Sequence, residues 1–190
     1  MIALRGVTKA FGDQAVLTGV DLDLPDAGVT ALMGPNGSGK TTLARILLGL
    51  ERPDAGTVTG LEGRRLAAAF QEDRLCDQLT APGNVRLVVD RARAAEAVAL
   101  LRAAGLDDDA LAKPARELSG GQRRRVVIVR ALAPDADLVV LDEPFKGLDA
   151  DARVVLLELV RERSAGRTVL LITHEPAEAE ALGAKVVTLG

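Results

Sequence analysis

The amino-acid sequence predicts an α/β fold with a mainly parallel sheet, an antiparallel β region at the N-terminus and an inserted helical subdomain. Three features support this prediction: a glycine-rich loop between an apolar strand and a helix, later apolar strands that alternate with helices, and a helix-forming middle segment. Fully apolar strands that alternate with helices are typical of parallel sheets covered on both faces. A chain of 190 residues fits one domain with a sizeable interior.

The predicted elements follow from hydrophobic periodicity and turn residues. The predicted strands are 2–7, 16–24, 29–33, 57–59, 66–70, 138–141, 168–172 and 185–189. The predicted helices are one that follows the glycine-rich loop, an alanine-rich stretch at 92–104 ended by Gly105, and helices at 120–133, 150–163 and 176–182. We therefore expect a single domain over residues 1–190, with 1–71 and 118–190 forming the α/β core and 72–117 the helical subdomain.

Composition argues against several functional classes. The 24 basic and 27 acidic residues give a net charge of −3, so there is no sequence-wide basic field, and nucleic acid is not an expected partner. The one dense basic cluster, Arg123 to Arg125, is expected to be a solvated face near a helix start. The lone Cys76 suits an inert thiol in a reducing cytosol. No run approaches the roughly 18 apolar residues of a membrane span, and no secretory signal is expected, so another chain must supply any span.

The segment from Gly34 to Thr42, GPNGSGKTT, follows an apolar strand and opens a helix. This pattern is typical of a phosphate-binding loop, because its glycines let backbone N–H groups surround an anion at the positive end of the helix. We expect Lys40 to pair with the β- and γ-phosphates and the Thr41 hydroxyl to ligate Mg²⁺. The loop residues expected to contact the ligand are Asn36, Gly37, Ser38, Gly39, Lys40, Thr41 and Thr42.

Polar residues directly after the apolar strands are the next candidates, because ligands collect at the carboxyl ends of parallel strands. Asp142 is expected to hold Mg²⁺ through a coordinated water, and Glu143 to act as the base that orients the attacking water. Gln71 can coordinate Mg²⁺ through its side-chain oxygen and bond the same water. His174, the only histidine, is placed where it could donate to a γ-phosphate oxygen.

A second anion site is predicted at Leu118 to Gln122, LSGGQ, ahead of a long helix. Ser119 is a good N-cap, and Gly120 and Gly121 expose backbone N–H groups at the helix N-terminus. A plain capped helix start would explain the serine but would leave Gly121 as an unexplained loss of helix propensity. The binding residues predicted in this segment are Ser119, Gly120, Gly121 and Gln122.

The order of these motifs resembles that of the nucleotide-binding subunits of the ATP-binding-cassette (ABC) family. In that family's terms the elements are Walker A at 34–42, the Q-loop glutamine Gln71, the LSGGQ segment, Walker B at 138–143, the D-loop at 147–150 and the switch histidine His174. The resemblance implies ATP and Mg²⁺ as ligands, with ATP held between the phosphate loop of one subunit and the LSGGQ segment of a second nucleotide-binding subunit. Ser119 and Gly121 would then contact the γ-phosphate bound by the partner, Asp149 would couple the two sites, and Phe11 would stack on adenine.

The resemblance further implies a cytoplasmic ATPase, peripheral at the cell membrane, that powers solute transport by a transmembrane permease subunit. Residues 70–75, FQEDRL, are similar to the Q-loop of importer subunits in the nitrate, sulfonate and taurine group. Two alternatives stay open: a non-transport member of the family, and a P-loop kinase acting on a small molecule. Lys146 stands where the family more often has a small residue, and the sequence offers no interpretation of it.

Overall fold

The eight strands of the protein form two sheets. The computed structural model describes all of residues 1–190. The strands are β1 (Ile2–Phe11), β2 (Gln14–Leu24), β3 (Gly28–Met33), β4 (Ala55–Thr59), β5 (Leu66–Ala69), β6 (Leu138–Asp142), β7 (Thr168–Ile172) and β8 (Lys185–Thr188). The smaller sheet is antiparallel with order β2-β1-β4, and the larger is parallel with order β5-β6-β7-β3-β8. The predicted fold class, a parallel core with an antiparallel N-terminal region, is confirmed.

The helices lie between these strands in the predicted alternation. They are α1 (Lys40–Leu47), α2 (Ala81–Arg86), α3 (Ala94–Ala103), α4 (Asp108–Ala112), α5 (Gly120–Leu132), α6 (Ala150–Ser164) and α7 (Pro176–Ala181), with single 3₁₀ turns at Arg91–Arg93 and Ala115–Glu117. None of them combines the length and the apolar character needed to cross a bilayer.

The central strands β6 and β7 of the parallel sheet are buried on both faces, and their side chains alternate between two apolar clusters. Val139 and Leu141 of β6 belong to the cluster formed with α2 to α6. Leu138 and Val140 of the same strand belong to the cluster formed with α1 and the antiparallel sheet. Successive side chains of a strand point to opposite faces, so a strand buried on both sides reads as a continuous apolar run. Because these strands are held by packing on both faces, the polar residues at their carboxyl ends are held in position at the site.

The boundaries differ modestly from the predicted ones. Strands β1 and β2 extend to Phe11 and back to Gln14, because the two strands pair through a tight turn. The middle segment contains three short helices, and its residues share one continuous apolar cluster with α5 and β6. The division of the chain at residues 72 and 117 therefore stays a prediction about domain organisation.

Candidate functional site

The loop between β3 and α1 curls at the carboxyl edge of the parallel sheet. Gly39, the residue before α1, has a φ of 92°, and a Cβ there would lie 2.8 Å from the carbonyl oxygen of Val16. Only glycine fits this position without strain. The Lys40 side chain is buried and folds back over the loop, where its ammonium donates to the carbonyl oxygens of Gly34 and Pro35 at 2.8 Å each. The loop thus has the shape that the motif predicts.

Thr41 at the start of α1 and Asp142 at the end of β6 meet across the edge of the sheet. The Thr41 hydroxyl donates to Oδ2 of Asp142 at 2.8 Å. Burial raises the pKa of Asp142, and the bond from Thr41 opposes that shift only in part. A hydroxyl and a carboxylate held together are the hard oxygen donors that Mg²⁺ prefers. The donor set therefore fits a magnesium ion.

Glu143 follows Asp142 in an unusual backbone conformation, with a φ of 47°. Its amide donates to the Ile172 carbonyl oxygen at 2.9 Å, which ties it to the neighbouring strand end. Its carboxylate accepts from the Lys146 ammonium at 2.7 Å, and its other oxygen lies 3.7 Å from Nδ1 of His174. Burial alone would raise the pKa of Glu143, but the hydrogen bond from Lys146 and the charges of Lys146, His174 and Lys40 together lower it. The carboxylate is thus held ionised at the cavity.

His174 lies on the segment after β7, and a buried carboxyl group organises that segment. The Thr173 hydroxyl donates to Oε2 of Glu178 at 2.6 Å and accepts from the Glu175 amide at 3.0 Å. Burial raises the pKa of Glu178. Glu178 is not among the residues predicted from the sequence, because its place on the short helix α7 gives no local signal that its side chain turns inward.

Most of the predicted residues line one cavity of about 480 Å³ beside the phosphate loop. The predicted residues that line it are Phe11, Asn36, Gly37, Gly39, Lys40, Thr41, Thr42, Gln71, Asp142 and Glu143. Phe11 is 48% exposed, and the Lys9 ammonium lies 5.3 Å from the centroid of its ring. Ser38 lies within the loop but does not line this cavity, and its hydroxyl is buried without a hydrogen-bond partner.

The LSGGQ segment lies outside that cavity. Ser119 caps α5: its side chain accepts from the Gln122 amide at 3.2 Å, while the Gln122 side chain accepts from the Ser119 amide at 2.9 Å. Ser119 and Gly120 are exposed, and Gly121 and Gln122 are half-buried. Gly120 and Gly121 border a second cavity of about 310 Å³, which shares Gln71 and Lys146 with the first. Within one chain the two predicted anion sites therefore remain separate.

Arg124 corrects the expectation that the three consecutive arginines form a solvated face. Its side chain is 5% exposed, and all five of its N–H groups donate to backbone carbonyl oxygens. The acceptors are Phe70 and Gln71 on one side and Asp142, Glu143 and Pro144 on the other, at 2.6–3.3 Å. The prediction was wrong because position 124 lies on the buried face of α5. Arg124 joins that helix to the segments that carry Gln71 and Glu143.

Comparisons with known proteins agree with this geometry. The family model described as "ABC transporter" matches residues 17–146. An aliphatic sulfonates import ATP-binding protein, SsuB 2 of Xanthomonas axonopodis pv. citri, is 40% identical over 99% of this chain and 67% of its own length. An Fe(3+) ions import ATP-binding protein, FbpC of Mesorhizobium japonicum, is 37% identical over 99% of this chain and 57% of its own length. The dimeric structure of MJ0796, a bacterial ABC transporter cassette, superposes with a TM-score of 0.88 at 28% identity, covering 100% of this chain and 94% of that one.

Proposed function

The chain belongs to the ABC transporter family, and from that premise we propose that it is the ATP-binding and ATP-hydrolysing subunit of a membrane importer. The observation that supports this most directly is the meeting of the phosphate loop, Asp142 and Glu143 in one cavity, with Ser119 and Gly120 of the LSGGQ segment exposed apart from it. Such a subunit works at the cytoplasmic face of the membrane, beside a permease subunit that provides the spans.

In the proposed complex, ATP lies along the phosphate-loop cavity. The half-exposed ring of Phe11 offers a face for adenine, and phenylalanine provides the same π-surface as tyrosine. The loop amides and Lys40 hold the β- and γ-phosphates. Thr41 and Asp142 hold Mg²⁺, assisted by Gln71, and the ion would offset phosphate charge.

Glu143 is the proposed base that orients and polarises the attacking water. Its carboxylate lies at the end of the cavity near Asp142, and its lowered pKa keeps it able to accept a proton at neutral pH. His174, 3.7 Å from that carboxylate, is placed to donate to a γ-phosphate oxygen. Gln71, on the same cavity wall, can bond the water.

The LSGGQ segment is proposed to complete the site of a second nucleotide-binding subunit. A Cβ at Gly120 would meet no atom within 4 Å, so packing inside this chain does not require glycine there. Close approach of an outside group would require it, because a side chain would block access to the backbone N–H groups. Ser119, Gly120, Gly121 and Gln122 would therefore contact the γ-phosphate bound by the partner, and Asp149 at the start of α6 would lie at the shared interface.

A groove between the start of β5 and the segment after α2 is the proposed seat for a helix of the permease. This groove of about 440 Å³ is flanked by Leu66, Leu87 and Val88, which are 37%, 59% and 43% exposed. Exposed apolar side chains grouped in a groove are typical of a docking site. Leu87→Asp should abolish co-purification with the permease while ATP binding by the isolated subunit persists. Val154→Asp, at an equally apolar and 67% exposed position on α6, is the matched control.

The names of the relatives support a proposal about the transported solute. Several of the similar proteins are named for aliphatic sulfonate import and one for Fe(3+) import, so we assign solute recognition to the other chains of the transporter. An aliphatic sulfonate is the proposed first solute to test. Stimulation of the ATPase of the purified complex by that solute would support the assignment.

The central test of the proposed function is Glu143→Gln. This variant should bind ATP but release phosphate at least a hundredfold more slowly, and it should accumulate an ATP-bound dimer that light scattering detects. Hydrolysis at the parental rate would show that Glu143 is not the base. Phosphate release by the parent protein without any acceptor distinguishes an ATPase from a P-loop kinase.

A further inference from the structure

Lys146 lies at the end of a tight turn that begins at Glu143. The Lys146 amide donates to the Glu143 carbonyl oxygen at 3.3 Å, and Phe145 between them is fully buried. Gly147 then leaves the turn with a φ of 77°. The backbone is thus anchored on both sides of Lys146, and the local turn returns its side chain toward Glu143.

The Lys146 ammonium donates to Oε2 of Glu143 at 2.7 Å, and it is the only hydrogen-bond donor to that carboxylate. The other oxygen, Oε1, stays on the side of His174, whose Nδ1 lies 3.7 Å away. The Glu143 side chain is 13% exposed, whereas that of Lys146 is 54% exposed. One oxygen is therefore occupied by the ammonium while the second remains available to a water molecule.

Lys146 also lies where the cavities of the site meet. It lines the phosphate-loop cavity, the cavity beside Gly120 and Gly121, and a smaller one of about 150 Å³ beside His174. A charge-assisted hydrogen bond to one oxygen of a carboxylate holds the group in one orientation. Lys146 is the cation held against Glu143 for this purpose, whereas the Lys40 ammonium is bonded to the phosphate loop itself.

We infer that Lys146 is a positioning residue for Glu143: its ammonium fixes the carboxylate so that Oε1 faces the attacking water. This inference rests on the proposed role of Glu143 as the base. A half-exposed ion pair contributes little to folding stability, so the effect of Lys146 should appear in turnover and not in the unfolding midpoint.

The test compares Lys146→Met, which keeps the length of the stem, with Lys146→Arg, which keeps the charge. Lys146→Met should lower kcat for Mg-ATP about threefold to tenfold, with KM for ATP changed less than about twofold, as expected when a weak ion pair orients a base. Lys146→Arg should restore most of the lost kcat. Lys113→Met is the matched control, because Lys113 also pairs with a carboxylate on its own segment, that of Asp109, but lies outside these cavities.

The same substitution in the Glu143→Gln background separates positioning from ATP binding. There Lys146→Met should leave ATP-driven dimer formation unchanged, because the carboxylate that it positions is already gone. Weaker dimer formation in that background, or a raised KM, would show that Lys146 binds nucleotide directly and would overturn the inference. An unchanged or increased kcat in Lys146→Met, alongside a stalled Glu143→Gln, would overturn the inference alone. No hydrolysis by the parent protein would overturn the proposed function as well.

Discussion

The Thr41 hydroxyl and the Asp142 carboxylate form a hydrogen bond of 2.8 Å between residues 101 positions apart in the chain. It joins the first turn of α1 to the end of β6 and closes the inner wall of the phosphate-loop cavity. Because both groups are oxygen donors already in contact, an ion bound there would need little rearrangement of the protein. This pair is the basis of the proposed magnesium site.

Asp142→Asn tests that site while keeping the shape of the side chain. The Mg²⁺ concentration for half-maximal hydrolysis should rise about tenfold to a hundredfold, the usual cost of losing a carboxylate that acts on the metal through water. Burial raises the pKa of Asp142, which means that its ionised form is unfavourable in the folded state, so the neutral amide should not lower the free energy of unfolding. Magnesium titrations of initial rates measure the first effect and urea unfolding the second.

Asp108→Asn is the control for that substitution, because Asp108 is exposed and lies outside the phosphate-loop cavity. Its magnesium dependence should match that of the parent protein. An Asp142→Asn variant with parental magnesium dependence would exclude Asp142 from the metal site.

The parallel strands and the phosphate loop could be predicted because their signals are local. The runs 29–33, 138–141 and 168–172 are apolar except for Thr30 and Thr168, and the structure places strands at each. The loop motif depends on three closely spaced glycines and on Lys40, whose arrangement is set within a few residues. Strand order and the length of β1 and β2 depend on pairing between distant segments, which periodicity does not encode.

Side-chain partners at the site could be predicted only where strand ends converge. The rule that ligands collect at the carboxyl ends of parallel strands brought Asp142 and Glu143 to the phosphate loop, and the structure places them at one cavity. The rule does not identify Arg124 or Glu178. Nothing local distinguishes the buried arginine among three consecutive ones, or the buried glutamate of the short helix α7, because the burial of each depends on how its helix packs.

Ser119→Arg tests whether the LSGGQ segment completes a partner's site. The variant should bind ATP normally but lose hydrolysis. Lys40→Ala should also lose hydrolysis, because it removes the ammonium proposed to hold the phosphates in its own loop. Mixed dimers of the two variants would contain one intact site each. With random pairing and independent sites, mixing should restore about a quarter of the parental activity, because half of the dimers are mixed and half of their sites are intact.

Phosphate release measured after mixing the purified variants provides the readout, and each variant alone is the control. Activity that stays at the level of the separate variants would contradict a shared site. Full activity of Ser119→Arg alone would contradict it too.

Arg124→Met tests the link between α5 and the two segments that carry Gln71 and Glu143. It leaves five carbonyl oxygens without their donor, of which those of Asp142 and Pro144 are held in fully buried contacts. We expect the free energy of unfolding to fall by about 2–4 kcal/mol, because unsatisfied buried polar groups are costly. Hydrolysis should fall as well, in urea-free buffer where the variant is folded, since the backbone that carries Glu143 loses an anchor.

Arg161→Met is the control for that prediction, because Arg161 makes only an exposed ion pair with Glu158 on the same helix. Its unfolding curve should overlay that of the parent protein. If Arg124→Met unfolds at the parental urea concentration, the five hydrogen bonds do not stabilise the fold as argued.

Glu96 on α3 gives a prediction about pH, because it bridges Arg93 and Arg163, the latter near the end of α6. The hydrogen bonds from Arg93 and Arg163 lower its pKa from 4.5 to about 2. An acid with a lowered pKa stabilises the fold above its unfolded value and loses that contribution as the pH falls, here from 4.5 toward 2. Since the side chain is 37% exposed, screening limits the contribution to about 1 kcal/mol.

Glu96→Gln should therefore be less stable than the parent protein at pH 7, and urea unfolding between pH 6 and 3 should show the difference shrinking. A pH-independent difference for Glu96→Gln would rule out the titration of this carboxylate as its cause.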